Sequence, residues 1–87
     1  MDDDGAAAEP RKTLVQCAGE VLADWRTRTV SSLAEESGYS RSSLTALEKG
    51  RRHDMRVSSL DAVCAAYGVE LLDVLYEAQQ RQYTEDG

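Results

Sequence analysis

The sequence predicts an all-α domain of five helices. Apolar residues recur at three- and four-residue steps in successive windows, and no segment alternates with a period of two. Gly38, Gly50 and Gly68 stand where three of the helical patterns break off. The composition agrees: 41% apolar with one Pro and no Phe is that of a soluble, helix-friendly chain and not of a disordered one. Eighty-seven residues make one domain with a small core, so tidy packing or oligomerisation is expected to support it.

Pro10 suits the first turn of the first helix, where its missing N–H costs nothing. Leu14, Cys17, Ala18, Val21, Leu22 and Trp25 then give an inward stripe that ends near Thr27. Thr29 can cap the second helix, with Leu33 and Ala34 inward and Gly38 as its stop. Ser40 is the expected N-cap of the third, which Leu44 and Leu47 anchor and Gly50 ends. The polar connection "RRHDMR" leads to a fourth helix from about Val57 or Ser58, where Ser58 and Asp61 have capping-box spacing. Its inward set is Leu60, Val63, Cys64 and Tyr67. The fifth helix is expected from about Leu71 to Tyr83, with Leu71, Val74, Leu75 and Ala78 inward.

The net charge of −6 is unevenly spread. Asp2, Asp3, Asp4, Glu9, Glu85 and Asp86 account for all of it, and residues 11–83 hold ten acids and ten bases. Residues 1–9 therefore read as an acidic, frayed tail, 10–83 as the folded domain and 84–87 as a second acidic tail. Within Arg41–Arg56 there are five bases and His53 against two acids, so a basic face is compatible with an acidic chain. "MDDDGAAAEP" has no apolar run for a signal peptide or membrane anchor, which leads to an expected cytoplasmic location. Cys17 and Cys64 are 47 residues apart with one histidine in the chain, a spacing that fits no zinc site. Both lie at apolar positions and read as reduced buried thiols, with a disulfide between them as the alternative.

The stretch "GYSRSSLTALEKGRR" obeys narrow steric rules. Two helices joined by a turn of about four residues cross steeply and need a small residue where they approach. Ala34 is that residue; Gly38 supplies a positive φ, Tyr39 plugs the turn and Ser40 caps. "SSLAEESGYSRSSLTALEKGRR" followed by "SSLDAVCAAYGVELLDVL" resembles the Cro/CI (lambda-repressor-like, XRE) helix-turn-helix domain over residues 14–75.

The resemblance implies a bacterial or phage-type transcriptional regulator that binds double-stranded DNA as a dimer. Its third helix would enter the major groove and its second cross the backbone. Position by position, it offers Arg41, Ser42, Ser43, Thr45 and Ala46 to the bases. Arg41 has the reach for a bidentate guanine contact, worth about 1–3 kcal/mol of discrimination. Thr29, Ser40, Lys49, Arg51, Arg52 and His53 are the expected phosphate contacts. Glu48 reads as a structural partner for a nearby arginine, and Tyr39 and Trp25 as core. The chain departs from the family pattern at Val30, Ala46 and Glu70, and in a connection after Gly50 that is longer by one residue and lacks proline.

A second stripe on the fifth helix, Leu72, Tyr76, Gln79 or Gln80, and Tyr83, reads as a dimer face. The other reading has that helix folded back on the first. An antitoxin-like or other protein-interaction module on the same fold is the alternative function, with another protein as partner. An enzyme is not expected, because the lone His53 sits in a basic loop with no Cys, Ser or paired-acid constellation around it. No metal, cofactor, small-molecule ligand or membrane partner is expected.

Overall fold

The structure, a computed structural model, describes residues 12–86. Five α-helices follow one another: α1 (Leu14–Trp25), α2 (Val30–Ser37), α3 (Arg41–Glu48), α4 (Val57–Tyr67) and α5 (Leu71–Asp86). The described residues contain no strand. Helix α1 is the central element, packing on α5 and α3, while α2 packs on α3 and α4, and α4 on α5.

The periodic apolar residues form one core. Cys17, Ala18, Val21 and Leu22 of α1 meet Leu33, Leu44, Leu47, Leu60, Val63, Cys64, Tyr67, Val74 and Ala78, all buried. Ala34, Tyr39, Leu71 and Leu75 pack against this cluster half-buried. Leu14 and Trp25, expected inward, are instead 38% and 37% exposed at the two ends of α1. A terminal turn has neighbours on only one side along the helix axis, so the stripe's end residues overhang the core.

Three helix starts are capped by hydroxyls. Thr29 Oγ1 accepts the Ser32 N–H and Ser40 Oγ the Ser43 N–H, both at 3.1 Å, as the sequence leads one to expect. The first helix differs from expectation. It begins at Leu14, and Thr13 and Gln16 form a capping box: Thr13 Oγ1 accepts the Gln16 N–H and Gln16 Oε1 the Thr13 N–H. Pro10 lies outside the described residues, as does the proposed tail at 1–9. The Ser58–Asp61 box does not form: Arg56 is the N-cap of α4 and gives no side-chain cap. At the other end of the chain α5 continues past Tyr83 to Asp86.

One approach sets the α1–α3 crossing. A Cβ on Gly19 would lie 1.9 Å from the Leu47 carbonyl oxygen, so only glycine lets the two backbones meet there. The helix-turn-helix closes through Gly38, whose φ of +82° places it in the left-handed region and whose N–H donates to Ala34 O.

Candidate nucleic-acid interface

Helix α3 has eight residues, of which Leu44 and Leu47 are buried. Burying one face leaves Arg41 and Ser42 exposed and Ser43, Thr45 and Ala46 half-exposed. Arg41, Ser42 and Thr45 share an open concavity of about 530 Å³ with Arg51. Ser43 and Ala46 do not line it. The Ser43 hydroxyl accepts a hydrogen bond from Ser40 Oγ at 3.0 Å, so it is tied into the cap of α3.

The turn after α3 is a Schellman motif. Gly50, at φ +74°, donates its N–H to Leu47 O at 3.1 Å, and Arg51 donates its N–H to Ala46 O at 2.9 Å. Gln16 Nε2 donates to Gly50 O at 2.9 Å, which fixes this turn to the start of α1. Gln16 thus serves both the α1 cap and the α3 exit, a double role that the sequence pattern alone does not reveal.

The cations sort into two groups. Arg26 bonds the Glu48 carboxylate at 3.1–3.2 Å, and its Nη1 donates to Arg28 O. Arg28 pairs with Glu36 and donates to Ser32 Oγ. Arg81 bridges Asp24 at 2.8 Å and Glu77 at 3.3 Å, and Lys12 pairs with Glu20. The remaining described arginines and lysines, Arg41, Lys49, Arg51, Arg52 and Arg56, have no side-chain hydrogen bond or ion pair, and neither has His53. All belong to α3, the loop that leaves it or the N-cap of α4. These four arginines and Lys49 are unpaired and mostly exposed, on one contiguous stretch of chain.

Glu48 closes α3 and holds it in place. Besides Arg26 it accepts the Tyr67 hydroxyl at 2.6 Å, so the ends of α1, α3 and α4 converge on one carboxylate. Burial, then the hydrogen bond to Glu48 and its charge, push the Tyr67 phenol well above its ordinary range, against the opposing effect of Arg26. The predicted arginine partner of Glu48 is Arg26; Tyr67 as a second partner was not visible in sequence.

Of the expected phosphate contacts, Thr29 and Ser40 are exposed N-caps, Lys49 is the exposed C-cap of α3, and Arg51, Arg52 and His53 follow it. Arg56 joins them as a free exposed cation that was not singled out, although it belongs to the basic run counted in the sequence. Among the described residues no group of His, Cys, Asp and Glu could hold a metal ion, and no helix is long and apolar enough to cross a membrane. Cys17 and Cys64 are buried thiols that are not joined in a disulfide.

Residues 20–77 match the model of the Cro/C1-type HTH DNA-binding domain. The chain belongs to this family. As a Cro/C1-type domain it carries a double-stranded-DNA-binding fold, with α2 and α3 as the helix-turn-helix. Two crystal structures of the clp gene regulator ClgR from Corynebacterium glutamicum are similar to it. One is 32% identical with a TM-score of 0.79, covering 88% of this chain and 84% of that one. The other is 34% identical with a TM-score of 0.76, covering 84% and 96%. No curated protein matches the sequence.

Proposed function

We propose that this Cro/C1-type chain is a sequence-specific transcriptional regulator that occupies a pseudo-palindromic operator as a homodimer. The observation that carries the reading is the segregation of cations: among the described residues, those not paired within the fold all lie on and beside α3. Arg41, at the first helical position with no partner, addresses a guanine edge, and Ser42 and Thr45 make shorter contacts beside it. Thr29 and Ser40 lie at the helix N-termini that flank the groove, and Lys49, Arg52, His53 and Arg56 follow the backbone past α3. The relative ClgR is a clp gene regulator, which supports a regulatory role here, with targets set by this chain's own α3.

Dimerisation is assigned to α5. Leu72, Tyr76 and Tyr83 are 77%, 66% and 60% exposed, while Val74 and Ala78 on the opposite face are buried in the core, and α5 packs on α1 and α4. Gln79 and Gln80 between them are also exposed. So α5 both folds back on α1 and keeps an apolar stripe outward. A two-fold pair places two α3 helices about 34 Å apart, one DNA turn.

The test is a fluorescence titration against DNA upstream of the protein's own gene at two salt concentrations. Affinity should fall steeply with salt, with a slope of about −0.9 for each phosphate contact. Arg41→Ala should relax sequence preference, and Lys49→Ala or Arg52→Ala should weaken all sequences alike. Folded protein that binds no promoter-proximal DNA would remove the reading.

A further inference from the structure

We infer that Arg51, outside α3, is a second base-reading residue and that the half-site contains two separately read guanines, one for Arg41 and one for Arg51. The inference deepens the major-groove reading above and rests on it.

The C-terminal half of α3 has little reach of its own. Leu47 is buried, Ala46 ends at its Cβ, and Glu48 is held by Arg26 and Tyr67. The Schellman turn supplies what the helix lacks. Its geometry reverses the chain at Gly50 and bonds the Arg51 N–H to Ala46 O, bringing Arg51 back beside the turn of α3 that carries Thr45 and Ala46. Gln16 pins Gly50 from α1, so the position of Arg51 is built and not a loop accident.

The outcome is visible in the concavity, which Arg41 and Arg51 line together with Ser42 and Thr45. Lys49, Arg52 and His53, its neighbours in sequence, do not line it. A side chain that reads a base must leave the protein on the same face as the helix in the groove, and of these loop cations Arg51 is the one that lines the concavity beside Arg41. Its guanidinium has no partner within the fold and offers the planar pair of donors that fits guanine O6 and N7.

The experiment is selection from a randomised double-stranded oligonucleotide library by the full chain and by Arg51→Ala, Arg51→Lys and Arg41→Ala. Arg51 is exposed and its side chain unpartnered, so its variants should keep the wild-type urea midpoint. Wild type should select a guanine whose preference disappears in both Arg51 variants, at a position different from the one lost in Arg41→Ala. Affinity for the selected site should fall about ten- to a hundred-fold in Arg51→Ala. Arg51→Lys keeps the charge and should keep the salt slope while losing that guanine. If both Arg51 variants select the wild-type sequence, and Arg51→Ala only weakens binding uniformly with a salt slope shallower by about one, Arg51 is a phosphate contact and the inference is overturned. Wild type that binds no member of the library overturns the proposed function itself.

Discussion

The Tyr67 hydroxyl donates to the Glu48 carboxylate at 2.6 Å, joining the last residue of α4 to the last residue of α3. Both groups are nearly out of water: Tyr67 is 5% exposed and the Glu48 side chain 9%. A buried carboxylate is tolerated only when its oxygens are bonded, and here Arg26 and Tyr67 do so from two other helices. The triad therefore fixes the exit of α3, from which Lys49, Gly50 and Arg51 follow.

Removing one member should cost more than its hydrogen bond alone. Tyr67→Phe is expected to destabilise by about 1–2 kcal/mol, because Glu48 retains Arg26. Glu48→Ala strands the Tyr67 hydroxyl and is expected to cost about 2–3 kcal/mol, less than a fully buried pair because Arg26 is one-third exposed. Urea melts of both single variants and the double variant measure the coupling. Additive effects would show that the hydrogen bond contributes nothing beyond packing.

Gly19→Ala should be destabilising by at least about 2 kcal/mol, although in a free helix the same change is stabilising by about 1 kcal/mol. The added Cβ would meet the Leu47 carbonyl oxygen at 1.9 Å, and that oxygen is backbone within α3, so neither partner can give way without separating the helices. A thermal or urea melt checks the sign. DNA affinity should fall with stability, because α3 is seated on α1 at this point.

Cys64 titrates in the fold differently from in the unfolded chain. Burial first, and the charge of Asp61 second, push its thiol from 9.0 up to about 11. The charged thiolate is thus disfavoured in the folded protein, and the unfolded chain loses the proton first. The stability from the neutral thiol is complete below about pH 9 and is lost as pH rises to about 11. Cys64→Ala should flatten this part of the stability–pH curve, measured by urea midpoints from pH 8 to 11. Thiol-specific reagents at neutral pH should modify Cys64 only after unfolding.

Helix existence and the core were legible in this sequence because periodicity reports burial directly: Leu33, Leu44, Leu47, Val63 and Val74 all lie where their spacing puts them. The turn was legible for a similar local reason, since Gly38 and Ser40 perform jobs few residue types can do. What escaped depended on contacts distant in sequence. Gln16 reaches Gly50 across 34 residues, Tyr67 reaches Glu48 across 19, and Gly19 is needed only because Leu47 arrives opposite it. The basic run was countable in sequence, but which of its members are free required the partners of Arg26, Arg28 and Arg81 to be known.

Leu72→Glu should convert the proposed dimer to a monomer without harming the fold. Leu72 is 77% exposed and contributes nothing to the core of its own chain, so a carboxylate there stays hydrated in the monomer. In a two-fold interface the same residue lies near its symmetry mate, and the change would bury or crowd two charges where apolar area was removed from water. Tyr76→Glu, four residues further along the same face, should act in the same direction. Sedimentation of the wild type and both variants reads the mass, and circular dichroism confirms that the helices persist. The variants should also lose affinity for a two-half-site operator far more than for a single half-site, because linking two readers raises the effective concentration of the second. A wild-type protein that sediments as a monomer, or variants of unchanged dimer mass, would take this stripe out of the dimer.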